Sequence, residues 1–120
     1  MKHLRAVPIV LLCSVACGGS YPEPRDQLAE AEAALRAADV AGADDTPRSK
    51  LHLKRAKEQI DEARALIADE EFELADLTLR RALADAELAL VLAREESQKK
   101  EAAESKEKLA ELQKLVEQAK

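Results

Sequence analysis

Apolar positions along the chain fall into helical spacing from Pro24 almost to the end. Leu28, Ala31, Leu35 and Ala38 recur at steps of three or four, and Gly42 follows where a helix C-terminal cap belongs. This predicts a helix from Pro24 to about Val40. Asp44-Asp45-Thr46-Pro47 is a start signal, with Thr46 or Asp45 as N-cap and Pro47 in the first helical position. The 73 residues after Pro47 contain neither glycine nor proline. Within them Leu53, Ala56, Ile60, Ala63 and Ile67 keep a 3-4-3-4 spacing, and so do Phe72, Ala75, Leu79, Ala82, Ala86, Ala89 and Ala93. The step from Ile67 to Phe72 is five. The register therefore slips at Asp69-Glu70-Glu71, where acidic residues suit the start of a new helix. A hairpin at 69–71 is preferred over the alternative, one unbroken helix from 47 to 118 about 110 Å long.

The third helix is apolar on more than one side. Leu74, Leu77, Leu83, Leu88, Leu90 and Val91 lie off its main stripe, a width expected of a helix that packs against two neighbours, here helices 24–41 and 47–68. The character changes beyond Ala93. Residues 95–101 hold no apolar position, while Glu95–Lys99, Glu96–Lys100 and Glu104–Lys108 are i,i+4 pairs that support a solvated helix. Apolar spacing resumes at Leu109, Leu112, Val116 and Ala119. The expected fold is all-α: a helical hairpin or small three-helix bundle over 25–94, whose long C-terminal helix extends as a stalk over 95–120. Phe72, Leu79, Ile60 and Ile67 are the expected packing residues of the hairpin.

The N-terminal segment has a different pattern. Met1 to Ala16 contains no acidic residue, Lys2 and Arg5 precede an apolar run from Val7, and Gly18-Gly19-Ser20 comes after it. The run is far shorter than the ~20 residues of a membrane-spanning helix and reads as a signal peptide over 1–16. Ser14-Val15-Ala16-Cys17 resembles a bacterial lipoprotein cleavage box, in which a small residue precedes a cysteine that is acylated on sulfur. That resemblance implies lipidation at Cys17 and, with Gly18 rather than aspartate next, delivery to the outer membrane facing the periplasm. Residues 17–24, with Pro22 and Pro24, would be the tether. Cys13 would leave with the leader, so no thiol would remain for a disulfide or a metal.

Composition narrows the function classes. Apolar residues make up 47% of the chain, yet the only aromatic residues are Tyr21 and Phe72, and 24 residues are alanine. Alanine excess at contact positions allows close helix approach and leaves little room for a pocket. The full chain has a net charge of −5. Loss of the leader removes two basic residues and leaves 17 basic against 24 acidic, net −7. That balance disfavours nucleic acid and anionic lipid as partners. His52 is the one histidine beyond the leader, so no zinc-ligand set is legible. There is no glycine-rich phosphate loop, and the carboxylates sit on polar faces beside lysine and arginine. No catalytic residue, metal site or cofactor is expected.

Two further resemblances bear on role. A helical lipoprotein ending in lysine is similar to the murein lipoprotein, whose terminal lysine is joined to peptidoglycan. That implies a cell-wall linkage at Lys120, although a cation at a helix C-terminus is favoured by the helix dipole in any case. Residues 26–100 resemble the bacterial domain-of-unknown-function family 4398, a helical domain common in lipoproteins. The resemblance is carried by Leu53-Lys54-Arg55-Ala56-Lys57 with Ile60-Asp61-Glu62-Ala63-Arg64, by Glu71-Phe72-Glu73-Leu74-Ala75, and by Ala82-Leu83-Ala84-Asp85-Ala86-Glu87-Leu88-Ala89. Relatives usually read Gly-Asp-Tyr-Glu at the turn; here Glu70 stands for the glycine and Phe72 for the tyrosine, an aromatic that would plug the end of the hairpin. The family implies a scaffold and no reaction. The expected role is a lipid-anchored adaptor that binds an envelope protein or itself, with a spacer between outer membrane and peptidoglycan as the alternative.

Overall fold

A computed structural model describes residues 20–119. The predicted signal peptide 1–16, the lipidation residue Cys17 and the linkage residue Lys120 lie outside the described residues. Within them the chain forms three helices, α1 (Arg25–Val40), α2 (Pro47–Ala68) and α3 (Phe72–Gln118). The all-α reading with a long C-terminal helix holds. At 1.5 Å per residue the 47 residues of α3 run about 70 Å.

Each boundary has a local cause. The tether turns into α1 at Pro24 (φ −82°, ψ 59°), where the Arg25 N–H donates to the Glu23 carbonyl at 2.9 Å. This i→i+2 bond closes an inverse γ-turn, whose central residue is at home near that φ and ψ. α2 opens as expected. Thr46 is extended (φ −123°, ψ 146°), its hydroxyl accepts from the Ser49 N–H, and Pro47 stands at the first helical position. The buried Ser49 hydroxyl returns a bond to the Thr46 carbonyl at 3.2 Å.

Both α1 and α2 end in the same motif, but with different residues in the left-handed position. In α1, Gly42 has φ +82°, the Ala43 N–H donates to Ala38 O, and the Gly42 N–H donates to Asp39 O. This is a Schellman cap with fully buried Ala38 and Ala43 as its apolar contact. In α2, Glu70 has φ +61°, the Glu71 N–H donates to Leu66 O at 2.9 Å, and the Glu70 N–H donates to Ile67 O at 3.1 Å. A side chain in the left-handed region costs about 1 kcal/mol. Glu70→Gly is therefore expected to stabilise the hairpin by roughly 1 kcal/mol, less the entropy that glycine adds to the unfolded chain. A rise in the thermal midpoint would show it; an unchanged or lower midpoint would count against strain at this residue. Gly42→Ala should do the reverse, since alanine would have to hold φ +82°, while the 2.7 Å approach of its Cβ to Asp45 Oδ2 can be relieved by turning the aspartate side chain.

The core is thin and made largely of alanine. Ala31, Ile60, Ala63, Leu79 and Ala82 form one buried cluster where all three helices meet, flanked by Leu28, Leu35 and Leu83. Ala38, Ala43, Ala89 and Ala93 form a second, flanked by Leu53 and Leu90. α3 packs against both α1 and α2, and the α2–α3 hairpin contact is the most extensive. Burial on α3 ends at Ala93, and residues 97–119 are exposed. On this stalk Glu95 pairs with Lys99 at 2.6 Å. Among the described residues Glu96–Lys100 and Glu104–Lys108 do not close to an ion pair.

One expectation needs correction. The second apolar side of α3 is only partly used by its neighbours. Leu83 and Leu90 pack against the clusters, but Leu74, Leu77, Leu88 and Val91 are 42–58% exposed. The cause is the size of the alanine side chain. Two helices can close on the alanine side of α3 at short distance, so both lie there and the opposite leucine side is left bare.

Candidate functional site

Two features rise above the ordinary helix surface. The first lies at the hairpin end of the bundle. Asp76, one helical turn into α3, is almost fully buried. Its Oδ2 accepts from the Tyr21 hydroxyl at 2.8 Å and from Arg80 through Nε at 3.0 Å and Nη2 at 2.9 Å. The bond to Asp76 holds the Tyr21 phenol above its ordinary pKa, because ionisation would place two anions against each other. The other oxygen, Oδ1, has no hydrogen-bond partner among the described residues. Beside these groups runs an open cleft of about 880 Å³, lined by Tyr21, Glu70, Phe72, Glu73, Leu77 and Arg80. The arrangement ties the tether to α3. It holds one arginine among several exposed carboxylates.

The same logic applies to His52, half-buried on α2. Its Nδ1 lies 2.7 Å from Asp85 Oδ1, and the Gln59 amide donates to Asp85 Oδ2 at 3.1 Å. Asp85 thus bridges two residues of α2 from α3 and fastens the hairpin at mid-height. Among the described residues no group of three or more His, Cys, Asp or Glu side chains comes together as a metal site.

The expected packing residues are spread along the hairpin. Ile60 and Leu79 sit together in the main cluster, each about 1% exposed. Ile67 is half-buried in the last turn of α2 and lends its carbonyl to the cap. Phe72 is half-buried at the first position of α3, on the wall of the cleft. The sequence reading missed the Tyr21–Asp76 contact, which joins residues 55 apart. Only the Asp76–Arg80 half, at i,i+4 spacing, was there to be read.

The second feature is the exposed side of α3. Leu74, Leu77, Leu88 and Val91 lie along the bundle, and Leu109, Leu112, Leu115 and Val116 lie 55–59% exposed near the end of the stalk. No helix of the described residues is long and apolar enough to cross a membrane. These side chains leave an apolar face of α3 uncovered among the described residues.

Comparison with known proteins bears on the chain as a whole. The family described as a domain of unknown function (DUF4398) matches residues 26–105, which spans the bundle and the first part of the stalk. No curated protein matches, and no solved structure matches.

Proposed function

Since the chain belongs to the domain-of-unknown-function family DUF4398, whose description assigns no activity, we propose a role from the surfaces it presents: a non-catalytic, lipid-anchored envelope protein that acts as a helical scaffold through α3. The observation that carries the reading is the bare apolar side of α3 on a helix whose alanine side is buried against α1 and α2 as far as Ala93. Such a patch on a thin bundle whose two main clefts are open to solvent supports protein contact.

The lipid anchor is supported by Ser14-Val15-Ala16-Cys17 and by the short stretch of chain between Cys17 and the bundle. Ser20 is three residues beyond Cys17, a reach of about 10 Å at full extension. Tyr21 is already fixed to Asp76. An acyl group on Cys17 would therefore hold the hairpin end of the bundle close to the lipid surface. Each buried methylene contributes ~0.8 kcal/mol, so several acyl chains make a firm attachment.

A second reading, a spacer joined to the cell wall through Lys120, is favoured by the ~70 Å run of α3. One fractionation tests both. Cys17→Ser should move the protein from the membrane pellet to the soluble fraction and abolish labelling by palmitate. A wild-type chain that is unlabelled and soluble would sink the anchor. Recovery from detergent-washed sacculi only after muramidase digestion would select the spacer, and complete release by detergent would reject it.

A further inference from the structure

The exposed side of α3 is a single ordered seam. Leu74, Leu88, Leu109 and Val116 stand whole multiples of seven residues apart, and Leu77, Val91 and Leu112 repeat the same steps three residues on. One heptad count therefore joins the bare leucines of the bundle to those of the stalk without a slip. Every position of that count from Leu74 to Ala119, polar ones included, is exposed. The buried stripe of Ala75, Leu79, Ala82, Ala86, Ala89 and Ala93 lies about 150° away around the helix, at 100° per residue. A supercoiled helix pair requires a seven-residue repeat, and the apolar positions here keep one count on the side that α1 and α2 leave open, interrupted by polar residues at Arg81, Glu95, Gln98 and Ser105.

The charges select the occupant and its direction. In a parallel, in-register pair Arg81 would stack on Arg81 and Glu95 on Glu95 inside the seam, and Arg94 would face Lys99 of the second helix. An antiparallel pair places the first seam position of one heptad opposite the second seam position of the other helix. In the register where facing numbers sum to 193, Leu77 meets Val116, Arg81 meets Leu112, and Ala84 meets Leu109. Leu88 then meets Ser105, Val91 meets Ala102, and Glu95 meets Gln98, so the like-charge stacks disappear and large side chains mostly face small ones. The flanking positions in that register pair Arg94 with Glu101, Glu87 with Lys108, and Asp85 with Lys106. By two-fold symmetry each pair occurs twice, and no like charges meet. A shift of one heptad reverses this: a sum of 186 puts Arg94 against Arg94 and Glu87 against Glu101, and a sum of 200 puts Arg94 against Lys108 and Glu101 against itself. A shift of two heptads leaves at least three of the seven apolar positions without a facing helix. We propose that a second copy of this chain docks antiparallel along α3 in the 193 register, each stalk lying along the bundle of the other. The proposal names the partner of the scaffold role and rests on α3 being the docking helix, while it is independent of the lipid.

Arg94 and Glu101 give a clean test, because neither has an oppositely charged residue three or four places away on its own helix. The full chain, with Cys13 and Cys17 both replaced by serine and held in non-ionic detergent, should sediment as a dimer at micromolar concentration. Glu101→Arg should weaken the dimer about tenfold, and adding Arg94→Glu should restore it. In the same background an Ala84→Cys chain mixed with a Leu109→Cys chain should form a disulfide-linked pair, while Ala84→Cys alone should form none. A chain that stays monomeric at 100-fold higher concentration would overturn the proposal. So would an Ala84→Cys self-crosslink, which reports a parallel pair, or a charge swap that does not rescue. Since Cys17 is absent throughout, failure here leaves the anchor to be judged by palmitate labelling and fractionation of the wild-type chain.

Discussion

Ala82→Leu is expected to cost the bundle about 3 kcal/mol, the upper end of what overpacking does in a well-filled core. Ala82 is fully buried and touches the cluster in which Ala31 of α1, Ile60 and Ala63 of α2, and Leu79 of α3 meet. The facing Ala31 and Ala63 cannot retreat, since each is a single methyl group on a rigid helix. Three extra carbons must push α1 or α2 outward, and the alanine contacts along the same face are lost with them. Small domains have roughly 5–15 kcal/mol of stability in all, so the midpoint in thermal circular dichroism should fall sharply. Leu79→Ala should cost a similar amount by the opposite route, a cavity left where the largest buried side chain of α3 stood. Ala103→Leu, exposed on the stalk of the same helix, should change the midpoint little and controls for helix propensity. If Ala82→Leu were as harmless as Ala103→Leu, close approach would not be what holds these helices together.

That expectation shows where the sequence misleads. Helix limits were legible because three independent signals agreed: the apolar spacing, Pro47 after Thr46, and Gly42 at a left-handed cap. The hairpin at 69–71 was legible without a glycine. The stripes before and after it fix where the chain must reverse, and Glu70 accepts a left-handed φ of 61° to allow it. What the pattern did not tell was that the second, leucine side of α3 would stay bare, since the alanine stripe read as the main one and both sides read as packed. Both repeat at three and four, and the leucine side is the more hydrophobic, yet the alanine side is buried. Hydrophobicity alone ranks the faces wrongly, because burial between three helices depends on how near their axes come as well as on the apolar area each side offers. The Tyr21–Asp76 bond was illegible for a different reason: periodicity reports neighbours on one helix and is silent on contacts between a tether and a helix.

A proline at position 102 should separate the two tasks of α3. Ala102 is exposed and lies nine residues beyond the last buried alanine, Ala93. Proline there removes the N–H that donates to the Gln98 carbonyl, clashes with that carbonyl, and forces residue 101 out of the helical region. The segment 102–118 is exposed throughout, and 17 residues make at best a marginal helix once cut from the nucleus supplied by the bundle. The helical signal should therefore fall by about a fifth, given helices of 16, 22 and 47 residues. Leu109, Leu112 and Val116 would no longer continue the line of Leu88 and Val91, and pairing between copies should be lost. Folding depends on the opposite side of the helix and ends at Ala93, so amide exchange at Leu79, Ala82 and Ala86 should stay slow. Exchange measured residue by residue reads both effects at once. If protection at Ala82 fell as far as protection at Leu109, bundle and stalk would unfold as one cooperative unit, and a face devoted to docking could not be assigned to either alone.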